Sequence, residues 1–259
     1  MEGHLTNGFR IWASSHSPPE VTDPSCWSRQ DRLGTASSLC SRWPPAGELR
    51  RRSVAFCRVT GAALVLGSTQ PFEVLSEERC AREGVEIARR PAGGGAVLVV
   101  PGAQVWIDFW VPRDDALWGE DIVRSAQWAG EAWRGALATL GAQGLEVHHG
   151  RSIETKWSRL VCFAGLGPGE VNVAGVKVVG ICQRRTREGT RFLTVAALRW
   201  APSSVVGLMS LEHGQAEQAI SDLVGAAAGL NDVLPGANPE AGSSSAVSMV
   251  EREVVRSLP

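Results

Sequence analysis

Arg89-Arg90-Pro91-Ala92-Gly93-Gly94-Gly95-Ala96-Val97 is the stretch on which the reading of this chain turns. It lies between two apolar runs, residues 85–89 and 96–100, that read as strands. Three consecutive glycines remove every Cβ from the turn, so a ligand can approach backbone N–H groups closely, and two arginines at its entrance can hold an anion. The stretch fits neither the P-loop nor the dinucleotide fingerprint, because no lysine or helix start follows where those motifs need one. On this segment alone, a tight β-turn with two solvated arginines explains the pattern as well as a phosphate or carboxylate site does.

Working outward, residues 54–59 and 62–66 read as two strands around a turn at Gly61, and residues 72–82 as a short helix with Glu73, Glu77 and Glu78 early in it. Val105, Ile107, Phe109 and Val111 alternate with Trp106, Asp108 and Trp110, the period-2 signature of a strand with at least one buried face, and Pro112 ends it. Between residues 120 and 140 apolar side chains recur at helical spacing, and Gly141 stands where a C-terminal cap belongs. Residues 161–163, 171–173, 176–183 and 191–198 read as further strands, and residues 216–230 as a second helical stretch. Strand runs with helices inserted between them predict an α+β domain, with a mixed or antiparallel sheet and helices on one side.

Residues 1–48, rich in Ser, Pro, Trp and Arg without a sustained period, are expected to be an irregular leader. Residues 49–233 then form the domain, and residues 234–259, opening with Gly, Ser, Ala and Pro, form a weakly ordered tail. A formal net charge of −1 over 259 residues gives no support to nucleic-acid binding. With neither a signal-peptide pattern at Met1 nor a run approaching the roughly 20 apolar residues of a membrane span, cytoplasmic residence without membrane contact is expected. Cys26, Cys40, Cys57, Cys80, Cys162 and Cys182 lack paired C-x-x-C spacing, so reduced thiols are the default.

Of 26 basic residues only Lys156 and Lys177 are lysine, a skew that genomic base composition explains but that still draws the eye to each ammonium. Lys177 opens the apolar strand Val176-Lys177-Val178-Val179-Gly180-Ile181-Cys182-Gln183, where burying it is costly unless an anion meets it; an edge strand whose lysine reaches water is the bland alternative. Cys162, at the end of an apolar run entering a Gly-rich loop, is a candidate nucleophile, although a lone cysteine there is more often inert core. Strict strand alternation puts Lys177 and Cys182 on opposite faces, which favours Cys162 as the partner of the lysine. The adjacent His148 and His149 diverge on any regular element and make a poor metal or catalytic pair, so no metal ligands are assigned. The ten tryptophans read as packing residues.

Taken together, three ordered segments resemble the catalytic domain shared by lipoate-protein ligases, octanoyltransferases and, more distantly, biotin-protein ligases. Leu64-Val65-Leu66-Gly67-Ser68-Thr69-Gln70 is similar to that family's early strand and turn, Arg89 through Val97 to its signature, and Val176 to Gly180 with Gln183-Arg184-Arg185 to its lysine strand. The resemblance covers roughly residues 53–230. It implies that Arg89, Arg90, Gly93, Gly94, Gly95, Ala96, Val97, Gly67, Ser68, Gln70, Gly180 and Gln183 bind the acyl and nucleotide groups, with Lys177 at the reacting carbonyl and phosphate.

In ligases of this type, ATP with Mg²⁺ and lipoate or octanoate form an acyl-adenylate, which a lysine of a lipoyl carrier domain attacks. The carrier domains belong to 2-oxoacid dehydrogenase complexes or the glycine cleavage system, and some ligases need an accessory subunit. Other members need no ATP and hold the acyl group as a cysteine thioester, for which Cys162-Phe163 resembles the right placement. The chain departs from the family at Pro91-Ala92 and Val99-Val100 and lacks a His-Gly pair after the lysine strand, which motivates a third reading, a non-catalytic acyl- or lipoyl-binding protein.

Overall fold

The computed structural model describes residues 27–235 and 243–259. In chain order the strands are β1 (Ser28–Gly34), β2 (Ser53–Val59), β3 (Ala63–Leu66), β4 (Glu86–Arg89), β5 (Val97–Val99), β6 (Gln104–Pro112), β7 (Leu145–Val147), β8 (Val171–Val173), β9 (Val176–Arg185) and β10 (Gly189–Ala197). The helices are α1 (Ala36–Cys40), α2 (Glu77–Arg82), α3 (Ile122–Ser125), α4 (Gln127–Thr139), α5 (Pro202–Val206), α6 (His213–Leu223), α7 (Leu230–Val233) and α8 (Ser243–Arg256). The expected α+β class is what forms, but with two mixed sheets: a seven-stranded one in the order β1-β2-β6-β10-β9-β8-β7, and a three-stranded one in the order β4-β3-β5.

Strand alternation explains how the layers stack. On β6, Val105, Ile107, Phe109 and Val111 face one core with α4 and α8, while Trp106 and Trp110 face a second core against the small sheet. On β3, Ala63 and Val65 join that second core, and Leu64 and Leu66 turn to a third, shared with α2, α5 and α6. Every residue of β6 is therefore buried, and helices cover both outer faces instead of the one side expected. Trp133 of α4, fully buried, donates to Thr194 Oγ1 at 2.9 Å, and truncating such a side chain costs about 3–5 kcal/mol.

Several expected boundaries move. The irregular leader expected over residues 1–48 does not describe residues 27–48, where β1 pairs parallel with β2 and Leu39 and Trp43 are buried; the rest of that expectation, residues 1–26 with Cys26, lies outside the described residues. β1 escapes a pattern reading because its sequence, SRQDRLG, alternates half-buried with exposed and relies on the ladder to β2. Nor is the described part of the C-terminal tail weakly ordered, since Val247, Val250 and Val254 of α8 recur at helical spacing into the first core; residues 236–242 are outside the described ones.

Residues 72–82 split into a 3₁₀ turn, Phe72–Val74, and α2, which Ser76 caps through Arg79 N. The helix expected over 120–140 breaks at Ala126 into α3 and α4, because Ser125 Oγ and Gln183 Nε2 both take the Ile122 carbonyl. The strand expected at 161–163 is a single bridge from Val161 to Ala96 followed by the 3₁₀ turn Cys162–Ala164. The helix expected over 216–230 starts earlier and ends at Leu223. No helix among the described residues is long and apolar enough to cross a membrane.

Candidate functional site

The two sheets do not seal completely. Between Val65, Val97 and Val99 of the small sheet and Trp106, Leu193 and Val195 of the large one lies a narrow slot whose wall is almost wholly apolar. Cys162, Ile181 and Cys182 line both this slot and an open cavity of about 530 Å³, so the slot opens into the cavity at those residues. Gly93, Gly94 and Gly95 edge the cavity, and Lys177 lines it from within.

The glycine turn is built for close approach. A Cβ at Gly67 would overlap the Gly94 carbonyl, and one at Gly95 would run into the backbone of Val161 and Cys162, so both contacts demand glycine. Ala96 N donates to Leu160 O and Cys162 N to Ala96 O, at 2.8 and 3.0 Å, which sets Cys162 directly beside the turn. Among the described residues the N–H groups of Gly93, Gly94 and Gly95 have no protein acceptor, which leaves them for a ligand in the cavity they edge.

The two arginines are not the solvent-facing anion clamp that their adjacency suggests. Arg89 donates to the Gly67 and Gln70 carbonyls at 2.8 and 2.6 Å and lies over the Phe72 ring, so it staples the neighbouring turn. Arg90 points inward, 5% exposed, and donates to the carbonyls of Val65, Gly93 and Gly95 while lining the slot. Its Nε alone lacks a partner, a buried donor whose unmet hydrogen bond costs about 1–3 kcal/mol until an acceptor enters.

Lys177 is 2% exposed, and its ammonium donates to the Cys162 carbonyl at 2.7 Å and pairs with Glu170 at 2.7 Å. The expected opposition of Lys177 and Cys182 is overturned by the register: Val171 pairs with Val179 but Asn172 with Lys177, so one β9 residue is skipped. Alternation resets at that bulge, Val178 and Val179 both enter the first core, and Lys177 and Cys182 both line the cavity. The lysine touches the Cys162 carbonyl, which is a different contact from the thiolate partnership inferred from sequence. Burial pushes the Cys182 thiol up to about 11 against the pull of Arg90, and that of Cys40 up to about 12, which makes both poor nucleophiles at neutral pH.

Of the remaining expected site residues, Val97 and Gly180 line the slot, and Gln183 lines the cavity while tied to α3. Ser68 is exposed, and Ala96 is buried in the third core. Gln70 is a brace instead: its Oε1 accepts Gly67 N and its Nε2 donates to Arg159 O. Glu170, Arg151 and the rim residues Ile122 and Ile153 went unassigned in the sequence, although Glu170 stands in the quotable Gly-Pro-Gly-Glu turn. Among the described residues no group of three or more His, Cys, Asp or Glu side chains is arranged to hold a metal ion.

The lipoyl protein ligase A/B catalytic domain matches residues 47–235. The bipartite lipoate protein ligase of Thermoplasma acidophilum, described with its E2 lipoyl domain, is similar in fold, with a TM-score of 0.64 at 13% identity over 90% of this chain and 82% of that one. A second structure from T. acidophilum, a putative lipoate protein ligase with bound lipoic acid, has a TM-score of 0.63 at 16% identity over 89% of this chain and 83% of that one. Lipoate-protein ligase A bound with ATP gives 0.62 at 16% identity, over 89% and 83% of the two chains. No curated protein sequence matches. Fold and family together define an enzyme of the ligase and transferase kind. The chain belongs to the lipoyl protein ligase A/B catalytic-domain family.

Proposed function

We propose that this protein attaches lipoate, or its octanoyl precursor, to a lysine of a lipoyl carrier domain through an acyl-adenylate. The observation that supports this reading is the placement of the buried Lys177 ammonium and the free N–H groups of Gly93–Gly95 around one cavity, at the mouth of an apolar slot. An alkyl chain in the slot gains about 0.8 kcal/mol per buried methylene and presents its carboxylate where the slot opens. A carboxylate oxygen then attacks the α-phosphorus of ATP and pyrophosphate leaves; Lys177 and the glycine N–H groups offset the approach of two anions. In the second step the carrier lysine amine attacks the acyl carbonyl, AMP leaves and the amine gives up a proton.

Mg²⁺ is expected to arrive on the triphosphate, which suits an ion that keeps waters and phosphate ligands and needs few protein carboxylates. Cytoplasmic lipoyl carrier domains of 2-oxoacid dehydrogenase complexes or of the glycine cleavage system are the proposed acceptors, a choice supported by the archaeal relative described with its E2 lipoyl domain. An accessory subunit remains part of the proposal.

A specific observation favours a second reading. Cys162 lines both slot and cavity, so an acyl carbonyl leaving the slot passes its thiol, while Arg89 turns its Nη1 to the Gly67 and Gln70 carbonyls and is not among the residues that line the cavity. In that reading the Cys162 thiolate attacks an octanoyl thioester, the donor thiol leaves, and the carrier lysine then takes the acyl group from Cys162. Intact mass of a lipoyl domain, incubated with this protein and lipoate or octanoate with and without Mg-ATP, beside an octanoyl-carrier donor, separates the cases. ATP-dependent gain is expected; gain from the acyl-carrier alone, lost in Cys162→Ser, would replace it with the transferase, and acyl binding with no transfer from any donor would leave the binding protein.

A further inference from the structure

A buried lysine needs a reason to hold its ammonium in one place, and here the reason is a carboxylate seven positions earlier in the chain. Glu170 is 3% exposed, and its two oxygens are fully engaged: Oε2 meets Lys177 Nζ at 2.7 Å and accepts Gly167 N, while Oε1 accepts Ile181 N at 3.1 Å. Two backbone N–H groups from different segments therefore fix the carboxylate before it touches the lysine. The turn that carries it is itself fixed, because Gly169 takes a φ of +79° and packs against Ala126, and a Cβ at Gly130 of α4 would overlap the Gly169 carbonyl. Gly180 lies across from Glu170, where an added Cβ would make only ordinary contact, 3.7 Å from Oε1 and 3.6 Å from the Phe163 ring.

An ammonium has three donors. Two of those of Lys177 are taken, by Glu170 and the Cys162 carbonyl, both at 2.7 Å; Nζ also lies 5.6 Å from the centre of the Phe163 ring, and the third donor has no hydrogen-bond acceptor among the described residues, on a side chain that lines the cavity. We infer that Glu170 is the positioning residue of the reaction: it aims the remaining N–H of Lys177 at the junction of slot and cavity and cancels the charge of the lysine until substrate arrives. The inference rests on the lipoylation reading above. It also makes the resting site neutral at that point, so Lys177 acts as one aimed donor and does not attract anions by net charge; attraction falls to the glycine N–H groups and Arg151.

The test uses the full chain and the fact that Lys156 and Lys177 are its only lysines. With ¹⁵N in the lysine side chains, two ammonium signals are expected, and Lys156→Arg assigns them. The Lys177 signal should be slow to exchange in the wild type and should move and lose its protection in Glu170→Gln, which keeps the shape and removes the charge. In steady-state transfer with whichever acyl donor the wild type uses, Glu170→Gln should lower kcat by about 10- to 100-fold with KM for the donor unchanged, as for a misplaced group, and Glu170→Asp should restore part of it. A Lys177 signal unmoved in Glu170→Gln, or a kcat equal to wild type, overturns the inference. Should Glu170→Gln not fold, Glu170→Asp carries the same two readouts, with full wild-type kcat and an unmoved signal as the contrary result. A wild type that transfers from no donor would sink the lipoylation reading while leaving the NMR arm to judge the ion pair by itself.

Discussion

Two acid–base pairs lie buried on the same large sheet and are put to different ends. Asp108 of β6 and Arg191 of β10 are 0% and 2% exposed, and around them the protein supplies several partners: Arg191 donates to Asp108, to Ser41 O at 2.7 Å and to Leu39 O at 2.6 Å, while Asp108 also accepts Trp106 Nε1 at 2.9 Å. Those bonds pin the end of α1 to the sheet, and Arg191 lines a cavity of about 360 Å³ with Ser41, Trp43 and Arg184. Glu170 and Lys177 are as deeply buried, and Lys177 lines the cavity that Gly93–Gly95 edge, next to the apolar slot. Burial of charge is common to both pairs; what separates them is which cavity each cation lines and what stands around it.

Breaking the Asp108–Arg191 pair should have the largest effect on stability. Asp108→Ala strands the Arg191 charge, and the urea midpoint should fall by an amount equal to about 3–5 kcal/mol of stability; a loss close to zero would mean that the pair does not hold α1. Lys177→Ala likewise leaves a buried charge, that of Glu170, without its partner, so the thermal midpoint should fall as well, and acyl transfer by the protein that remains folded should drop by at least about a hundredfold, the scale of one lost electrostatic donor. Unchanged transfer in that variant would remove Lys177 from the reaction.

A third pair sharpens the contrast because only one partner is buried. Glu251 of α8 has its side chain 4% exposed, and Arg58, its partner at 2.8 Å, is 41% exposed. Burial raises the Glu251 pKa above its ordinary 4.5 despite Arg58, so the folded state binds that proton more tightly than the unfolded chain does. Stability therefore falls as pH climbs from about 4.5 through the raised native value, and Glu251→Gln should flatten that part of the curve of melting temperature against pH. An identical slope in the variant would show that Glu251 contributes nothing to it. The smallest effect belongs to Arg134→Ala, whose pairing with Glu131 is 42% and 44% exposed; the stability change should stay within the roughly 0–1 kcal/mol of a surface pair, as read from the same urea titration.

The site was legible where chemistry shows in residue type. A triple glycine announces backbone approach, and a lysine inside an apolar strand announces a counter-charge, and both line the cavity. What stayed hidden depended on direction. Arg89 and Arg90 are neighbours in sequence, yet they diverge on β4, one toward the Gly67 turn and the other into the slot, so adjacency promised a clamp that strand geometry divides. Glu170 was in view within its Gly-rich turn, but its bond to Lys177 exists only because the β8–β9 hairpin brings the two together across a bulge. β1 was missed because an edge strand is held by its ladder, which leaves little trace in hydrophobic pattern.

Periodicity and residue type were enough, by themselves, to determine the α+β class, most strand positions and the need of Lys177 for a counter-charge, since local propensity and the cost of burying charge act through residues near in sequence. The tertiary structure alone decided that two sheets enclose the slot, that Arg89 serves the fold, that Lys177 and Cys182 share a face, and that Glu170 aims the lysine. These are matters of which groups meet across distant segments, and one skipped residue in a ladder is enough to reverse them.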